Sequence, residues 1–140
     1  MSDADVPVRG GLRILVADDN EDATSILATL LQFSGHTVEV AGDGEQAIRL
    51  AQSSRPSVAL LDLGMPKING ADVARAIRAA DWGQSIVLIA VTGWSVAEAE
   101  KRGDKSAFDA YLLKPVDFDA LSLLLETVPA SAHISRSMPG

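Results

Sequence analysis

The chain has 140 residues, enough for one compact domain with a buried core. Hydrophobic residues make up 47% of it, which excludes disorder over most of its length, and the lack of cysteine excludes disulfides, thiolate metal sites and a cysteine nucleophile. A formal net charge of −7 disfavours non-specific contact with nucleic acid or anionic lipid, and Lys67, Arg75, Arg78, Lys101, Arg102 and Lys105 are scattered rather than aligned.

Met1 to Gly10 reads as a polar extension without the apolar run of a secretory signal. No apolar stretch is long enough to cross a bilayer. The expectation is a soluble cytoplasmic protein with one domain over residues 11–127.

Leu12 to Ala17 is an apolar run, and Asp18-Asp19-Asn20 after it are residues that cap helices. Ile26, Leu27, Leu30, Leu31 and Phe33 follow on a helical period, and Gly35 is a natural stop. Thr37 to Ala41 alternates apolar and polar, as a strand with one buried face does. Asp43 caps a helix carrying Ala47, Leu50 and Ala51, which Arg55-Pro56-Ser57 breaks. Val58 to Leu61 is continuously apolar and ends at Asp62. A turn-rich stretch from Gly64 to Gly70 leads into a helix with Val73, Ala74 and Ile77. Ile86 to Val91 is the most apolar run and ends at Thr92-Gly93-Trp94. Ser95 to Ala107 is a weak helical segment with little bulky apolar content. Ala110 to Leu113 is the fifth run, closed by Lys114-Pro115. A last helix starts near Asp117 and carries Phe118, Leu121, Leu124 and Leu125. Residues 128–140 read as a flexible tail.

Strand–helix alternation implies a parallel sheet with helices on both faces. The first, third and fourth runs are apolar throughout, as central parallel strands are, and the second is mixed, as an edge is. The expected fold is a flavodoxin-like α/β domain, doubly wound, with five strands in the order 2-1-3-4-5 and five helices.

Ligands of such sheets bind beyond the carboxyl ends of the strands. That rim receives Asp18 and Asp19 from the first strand, Asp62 from the third, Thr92 from the fourth and Lys114 from the fifth. Clustered carboxylates repel one another, and a hard divalent cation with oxygen ligands relieves the repulsion. With no histidine or cysteine near the rim, magnesium or manganese fits better than zinc or copper. A carboxylate nucleophile can form an acyl phosphate when a metal, a cation and a hydroxyl surround the phosphoryl oxygens. Asp62 is then the phosphoacceptor and also a metal ligand. Asp19 binds the metal directly, Asp18 aids it directly or through water, and the Gly64 carbonyl is a further candidate ligand. Thr92 and Lys114 each contact a phosphoryl oxygen.

Asp18-Asp19, Leu61-Asp62-Leu63-Gly64-Met65-Pro66, Asn69-Gly70, Val91-Thr92-Gly93 and Tyr111-Leu112-Leu113-Lys114-Pro115 together resemble the signature of response-regulator receiver domains in two-component signalling. The likeness runs from about Leu12 to about Thr127. It implies phosphorylation by a phosphohistidine of a sensor kinase or histidine phosphotransfer protein, with magnesium bound. It implies switching through Thr92 and the aromatic Tyr111, and a cis bond between Lys114 and Pro115. It implies a readout surface, and a face for dimers, on the fourth helix, fifth strand and fifth helix. Gly64 and Trp94 fall where family side chains control access to the acyl phosphate. The Thr92-Gly93-Trp94 style resembles receivers of hybrid sensor kinases, although a stand-alone response regulator that signals through a partner, or relays phosphate, is the leading reading.

Each residue also has a plainer reading. Asp18 and Asp19 read alone are helix caps, Thr92 is a turn residue, Lys114 is solvated, and Tyr111 is half-buried core. Trp94 could equally anchor a partner. The rival functions are a phosphorylation-independent interaction module, a detached receiver of a hybrid kinase, and an aspartate-nucleophile phosphohydrolase. Gly64 opposes the last, since those enzymes carry a second Asp there.

Overall fold

The computed structural model describes residues 11–65, 67–93, 101 and 107–128. Its elements in chain order are β1 (Arg13–Ala17), α1 (Glu21–Phe33), β2 (Thr37–Ala41), α2 (Gly44–Ser54), β3 (Val58–Asp62), α3 (Gly70–Ala79), a 3₁₀ turn (Asp81–Gly83), β4 (Val87–Thr92), β5 (Ala110–Leu113) and α4 (Phe118–Glu126). All strand pairs are parallel and the order is β2-β1-β3-β4-β5, the expected flavodoxin-like arrangement. Four α-helices stand among the described residues where the sequence implies five. The remaining helical segment, Ser95 to Ala107, lies outside them apart from Lys101 and Ala107.

Strand alternation divides the core into two layers. Leu15, Ala17, Ala59, Leu61, Leu88 and Ala90 pack on one face against α2 and α3. Ile14, Val16, Val58, Leu60, Ile89 and Val91 pack on the other face with Leu31 of α1 and Leu121 and Leu125 of α4. The runs that look uniformly apolar in sequence are therefore two interleaved sets, each serving one layer. Val128, read from sequence as the first residue of the tail, is buried in the second layer.

Side-chain caps fix where the helices begin. Asn20 accepts from the Ala23 N–H, Asp43 from Gln46, Asn69 from Asp72 and Asp117 from Asp119. Three of these ends carry the sequence signals described above, at Asn20, Asp43 and Asp117. At the far end of α1, Gly35 takes φ 100°, which glycine tolerates without strain. Arg55 ends α2 in the left-handed region with φ 52°.

Arg78, on the last turn of α3, ties three pieces together. It donates to the carbonyls of Gly83, Ile86 and Ala107 and pairs with Asp109 at 2.8 Å. Asp109 in turn accepts the Leu88 N–H at 2.8 Å, so the entry to β5 is held against β4.

α3 begins hard against the backbone of β3. A Cβ added at Gly70 would stand 2.6 Å from the Asp62 carbonyl oxygen. Gly70→Ala is expected to destabilise the fold by about 1–3 kcal/mol through forced backbone shifts. Urea denaturation checks this; an unchanged midpoint would show that α3 can retreat freely from Asp62.

Candidate functional site

β1 and β3 are neighbours in the sheet, with Ala17 paired to Leu61. Their next residues, Asp18 and Asp62, therefore emerge side by side at the carboxyl edge. By alternation both share the parity of the layer packed on α1 and α4. Asp18 and Asp62 are buried, and Asp19 is exposed. Carboxylate oxygens of Asp18, Asp19 and Asp62 lie within 4.8 Å of one another.

Lys114 completes the group. Its Nζ lies 3.1 Å from Asp18 Oδ2 and 3.2 Å from Asp62 Oδ2. Its backbone N–H donates to the Thr92 carbonyl at 2.7 Å, which anchors it at the end of β4. The Lys114–Pro115 peptide bond is cis, as the family resemblance implies.

The helix-cap reading of the first two aspartates is not what the geometry gives. Asn20 caps α1 through its own side chain. Asp18 uses Oδ1 to accept the Asn20 N–H at 3.0 Å, which leaves Oδ2 for Lys114. Asp62 also serves the turn after it. Its Oδ1 accepts the Gly64 N–H at 2.9 Å. Each buried carboxylate thus has one oxygen tied to the backbone and one facing the cluster.

Burial pushes the Asp62 carboxyl above its usual range, and the Asp18 charge acts in the same direction. The Gly64 N–H and Lys114 oppose both but do not cancel them. Burial alone would lower the Lys114 pKa, yet the hydrogen bonds and charges of Asp18 and Asp62 outweigh it and raise it. The ammonium stays charged.

Gly64 is exposed, and a Cβ there would stand 3.5 Å from Asp62 Oδ1. Any side chain at this position would overhang the carboxylate. Thr92 is buried at the end of β4. By alternation it shares parity with Leu88, Ala90 and Tyr111, in the opposite layer from Asp18 and Asp62. Tyr111 is half-buried, with its ring 5.6 Å from that of Phe108. Trp94 lies outside the described residues, as does Pro66. Sequence reasoning missed an apolar cavity of about 490 Å³ between α1 and α4, whose upper end reaches Asp18 and Lys114. No local pattern could have revealed it, because it depends on how two helices distant in sequence sit together.

The response regulator receiver domain family matches residues 14–126. The chain belongs to that family. Among curated relatives, response regulator MprA of Mycobacterium bovis is 33% identical over 132 residues, covering 91% of this chain and 56% of the relative. The chain thus spans about half the length of the curated relatives it matches. The receiver domain of the sensor histidine kinase PA1611 from Pseudomonas aeruginosa PAO1, solved with magnesium coordinated in its active site cleft, superposes with a TM-score of 0.78 at 28% identity. That match covers 84% of this chain and 97% of that one. The chemotaxis protein CheY4 of Vibrio cholerae gives a TM-score of 0.79 at 26% identity, covering 85% and 99%.

The raised Asp62 pKa gives a stability test for this receiver domain. A carboxyl whose folded pKa lies above its unfolded value costs stability once pH rises past the unfolded pKa, and the cost is complete above the folded one. Asp62→Asn is therefore expected to raise the melting temperature at neutral pH in the presence of EDTA. The gain should vanish below the ordinary carboxylate range. A melting temperature that falls at neutral pH would mean that ionised Asp62 is stabilising.

Proposed function

We propose that this receiver domain accepts a phosphoryl group on Asp62. The observation that carries the proposal is the Asp62 carboxylate buried beside Lys114 and within reach of Asp18 and Asp19. In the transfer, a carboxylate oxygen of Asp62 forms the new O–P bond. The P–N bond to the donor histidine breaks, and its electron pair stays on the ring nitrogen. Lys114 holds a phosphoryl oxygen through its ammonium, and the Thr92 hydroxyl holds another.

The oxygen-only donor set of Asp18, Asp19 and Asp62 fits a hard divalent cation, magnesium or manganese. The Gly64 carbonyl is a further candidate ligand. Such a cation would supply charge to neutralise the phosphoryl oxygens. Likeness to the PA1611 receiver, whose cleft holds magnesium, supports this assignment.

Switching would run through Thr92 and Tyr111. Their common parity on neighbouring strands supports a link between hydroxyl and ring, since Tyr111 pairs with Ala90, two residues before Thr92. The donor partner is a sensor histidine kinase or histidine phosphotransfer protein, and the phosphorylated form acts on a further protein. Among the described residues no helix is long and apolar enough to cross a membrane, consistent with a cytoplasmic place. The reading is of a signalling phosphoacceptor that catalyses only its own phosphorylation and dephosphorylation. An interaction module without phosphate would have no use for a half-buried lysine held against two buried carboxylates, so the site geometry favours the phosphoacceptor.

Incubation with magnesium and acetyl phosphate is expected to add a phosphoryl mass that is absent in Asp62→Ala. Equal labelling of the variant would refute Asp62 as acceptor. Saturating magnesium should also stabilise the wild type, by about 2.7 kcal/mol at a hundred times Kd, and Asp62→Asn should lose most of that gain.

Acyl-phosphate lifetime gives a further prediction. Gly64→Met places a side chain over Asp62 Oδ1 and should slow hydrolysis several-fold, while Trp94→Ala should speed it if that indole shields the site. Lifetimes measured by loss of the phosphoryl mass decide both.

A further inference from the structure

The loop from Asp62 to Gly70 carries more of the site than Asp62 alone. Gly64 holds Asp62 Oδ1 through its N–H at 2.9 Å, and its carbonyl is the further ligand candidate for the cation proposed above. The path of this loop is strained. Lys67 takes φ 63°, a region that residues with a Cβ occupy only when their surroundings enforce it. Two apolar side chains supply part of that enforcement. Met65 is buried, and Ile68 packs on the same core layer that α2 covers.

Gly44, the first residue of α2, is buried where Ile68 crosses it. A Cβ on Gly44 would stand 2.7 Å from Ile68 Cβ and 2.9 Å from its Cγ2, and closer still to its carbonyl oxygen. One of the two backbones would have to move. α2 is poorly placed to do so. Ala47 and Ala51 bury it in the core, and hydrogen bonds of 2.8 Å from the Gln46 N–H to Asp43 and from the Gly42 N–H to Gln46 fix its first turn. The far end of the loop is blocked as well, because Gly70 starts α3 against the Asp62 carbonyl. A push at Ile68 therefore passes along the loop towards Gly64. We propose that Gly44 is a positioning residue for the site. By letting the loop seat at Ile68, it sets where the Gly64 N–H meets Asp62 and where the Gly64 carbonyl points.

The carbonyl half of this role rests on the metal reading given above; the N–H half does not. The three atoms nearest a Cβ on Gly44 all belong to Ile68, so Gly44 acts through the loop and not on the carboxylates. Gly83 offers a matched comparison. A Cβ there would stand 2.7 Å from Ile77 Cγ2 and closer still to the Ile77 carbonyl oxygen, a clash at least as severe. Yet Gly83 precedes β4, at the amino edge of the sheet and away from the rim. Loss of stability and loss of site geometry can therefore be told apart.

Two measurements on Gly44→Ala test the proposal, both on the full chain and both referred to the folded fraction. In metal-free protein, NMR of the Gly64 amide should show solvent exchange several-fold faster than in wild type, because its bond to Asp62 is loosened. Magnesium titration should give a dissociation constant about tenfold higher. Gly83→Ala should lower the melting temperature and leave both values as in wild type, which is also what a merely structural role for Gly44 would give. Ile68→Ala removes the Cγ2 that leans on Gly44 and should likewise speed Gly64 exchange; it stands in for Gly44→Ala should that variant not fold. Wild-type exchange and affinity in folded Gly44→Ala, or wild-type exchange in Ile68→Ala in its place, would overturn the proposal. So would Gly83→Ala changing both values as much as Gly44→Ala does. A wild type that takes up no magnesium would refute the metal reading and the carbonyl half with it, while exchange, read without metal, still decides the N–H half.

Discussion

The ammonium of Lys114, 3.1 Å from Asp18 and 3.2 Å from Asp62, is what allows two carboxylates to be buried together. A buried acid without a partner takes up a proton rather than stay charged. Lys114 offsets that tendency at Asp62 but does not abolish it, since the Asp62 pKa remains raised. Counting Asp19, ionised carboxylates exceed the ammonium by two negative charges. A divalent cation is the ligand that matches such a deficit. One lysine thus leaves the site incomplete in a particular way, stable enough to fold yet short of positive charge.

The sheet makes this arrangement inexpensive to build. Asp18 and Asp62 follow paired residues on adjacent strands, so register alone brings them together. Lys114 comes from β5, two strands from β3, a separation of about 10 Å. Its backbone is fixed to the Thr92 carbonyl, and its long stem spans the end of β4. A short basic side chain could not make that reach. Gly70 contributes from the other side, because only a residue without Cβ lets α3 start against the Asp62 carbonyl.

Much of this was legible in the sequence because it depends on order and parity. Apolar runs locate strands, and the polar residue that ends each run locates the rim. Thr37 to Ala41 reads as an edge strand and is one. What was not legible depends on three-dimensional competition for hydrogen bonds and surface. Asp18, Asp19 and Asn20 are all good caps, and only the backbone path decides that Asn20 takes the role. Whether Asp62 also serves its own turn depends on where the Gly64 N–H points. The five apolar residues of α1 fit one helical period, yet Ile26, Leu30 and Phe33 fall outside the stripe that the sheet covers. A hydrophobic pattern tells which residues avoid water, and not which of them the fold has room to hide.

The same short segment joins the site to α1. Asp18 accepts from the Asn20 backbone, and Asn20 accepts from Ala23 in the first turn of the helix. Lys114 lies at the upper end of the cavity that α1 walls. The position of α1 is therefore set from two sides, by the buried layer at Leu31 and by the carboxylate of Asp18 through two hydrogen bonds in series. Hydrogen bonds of this kind tolerate only tenths of an ångström before they weaken. A force on the outer face of α1 is consequently borne in part by Asp18, and a change in what Asp18 holds is borne in part by the first turn of α1. A change at the carboxylate cluster therefore reaches the first turn of α1 through Asn20, whereas the exposed Ile26, Leu30 and Phe33 lie further along the same helix.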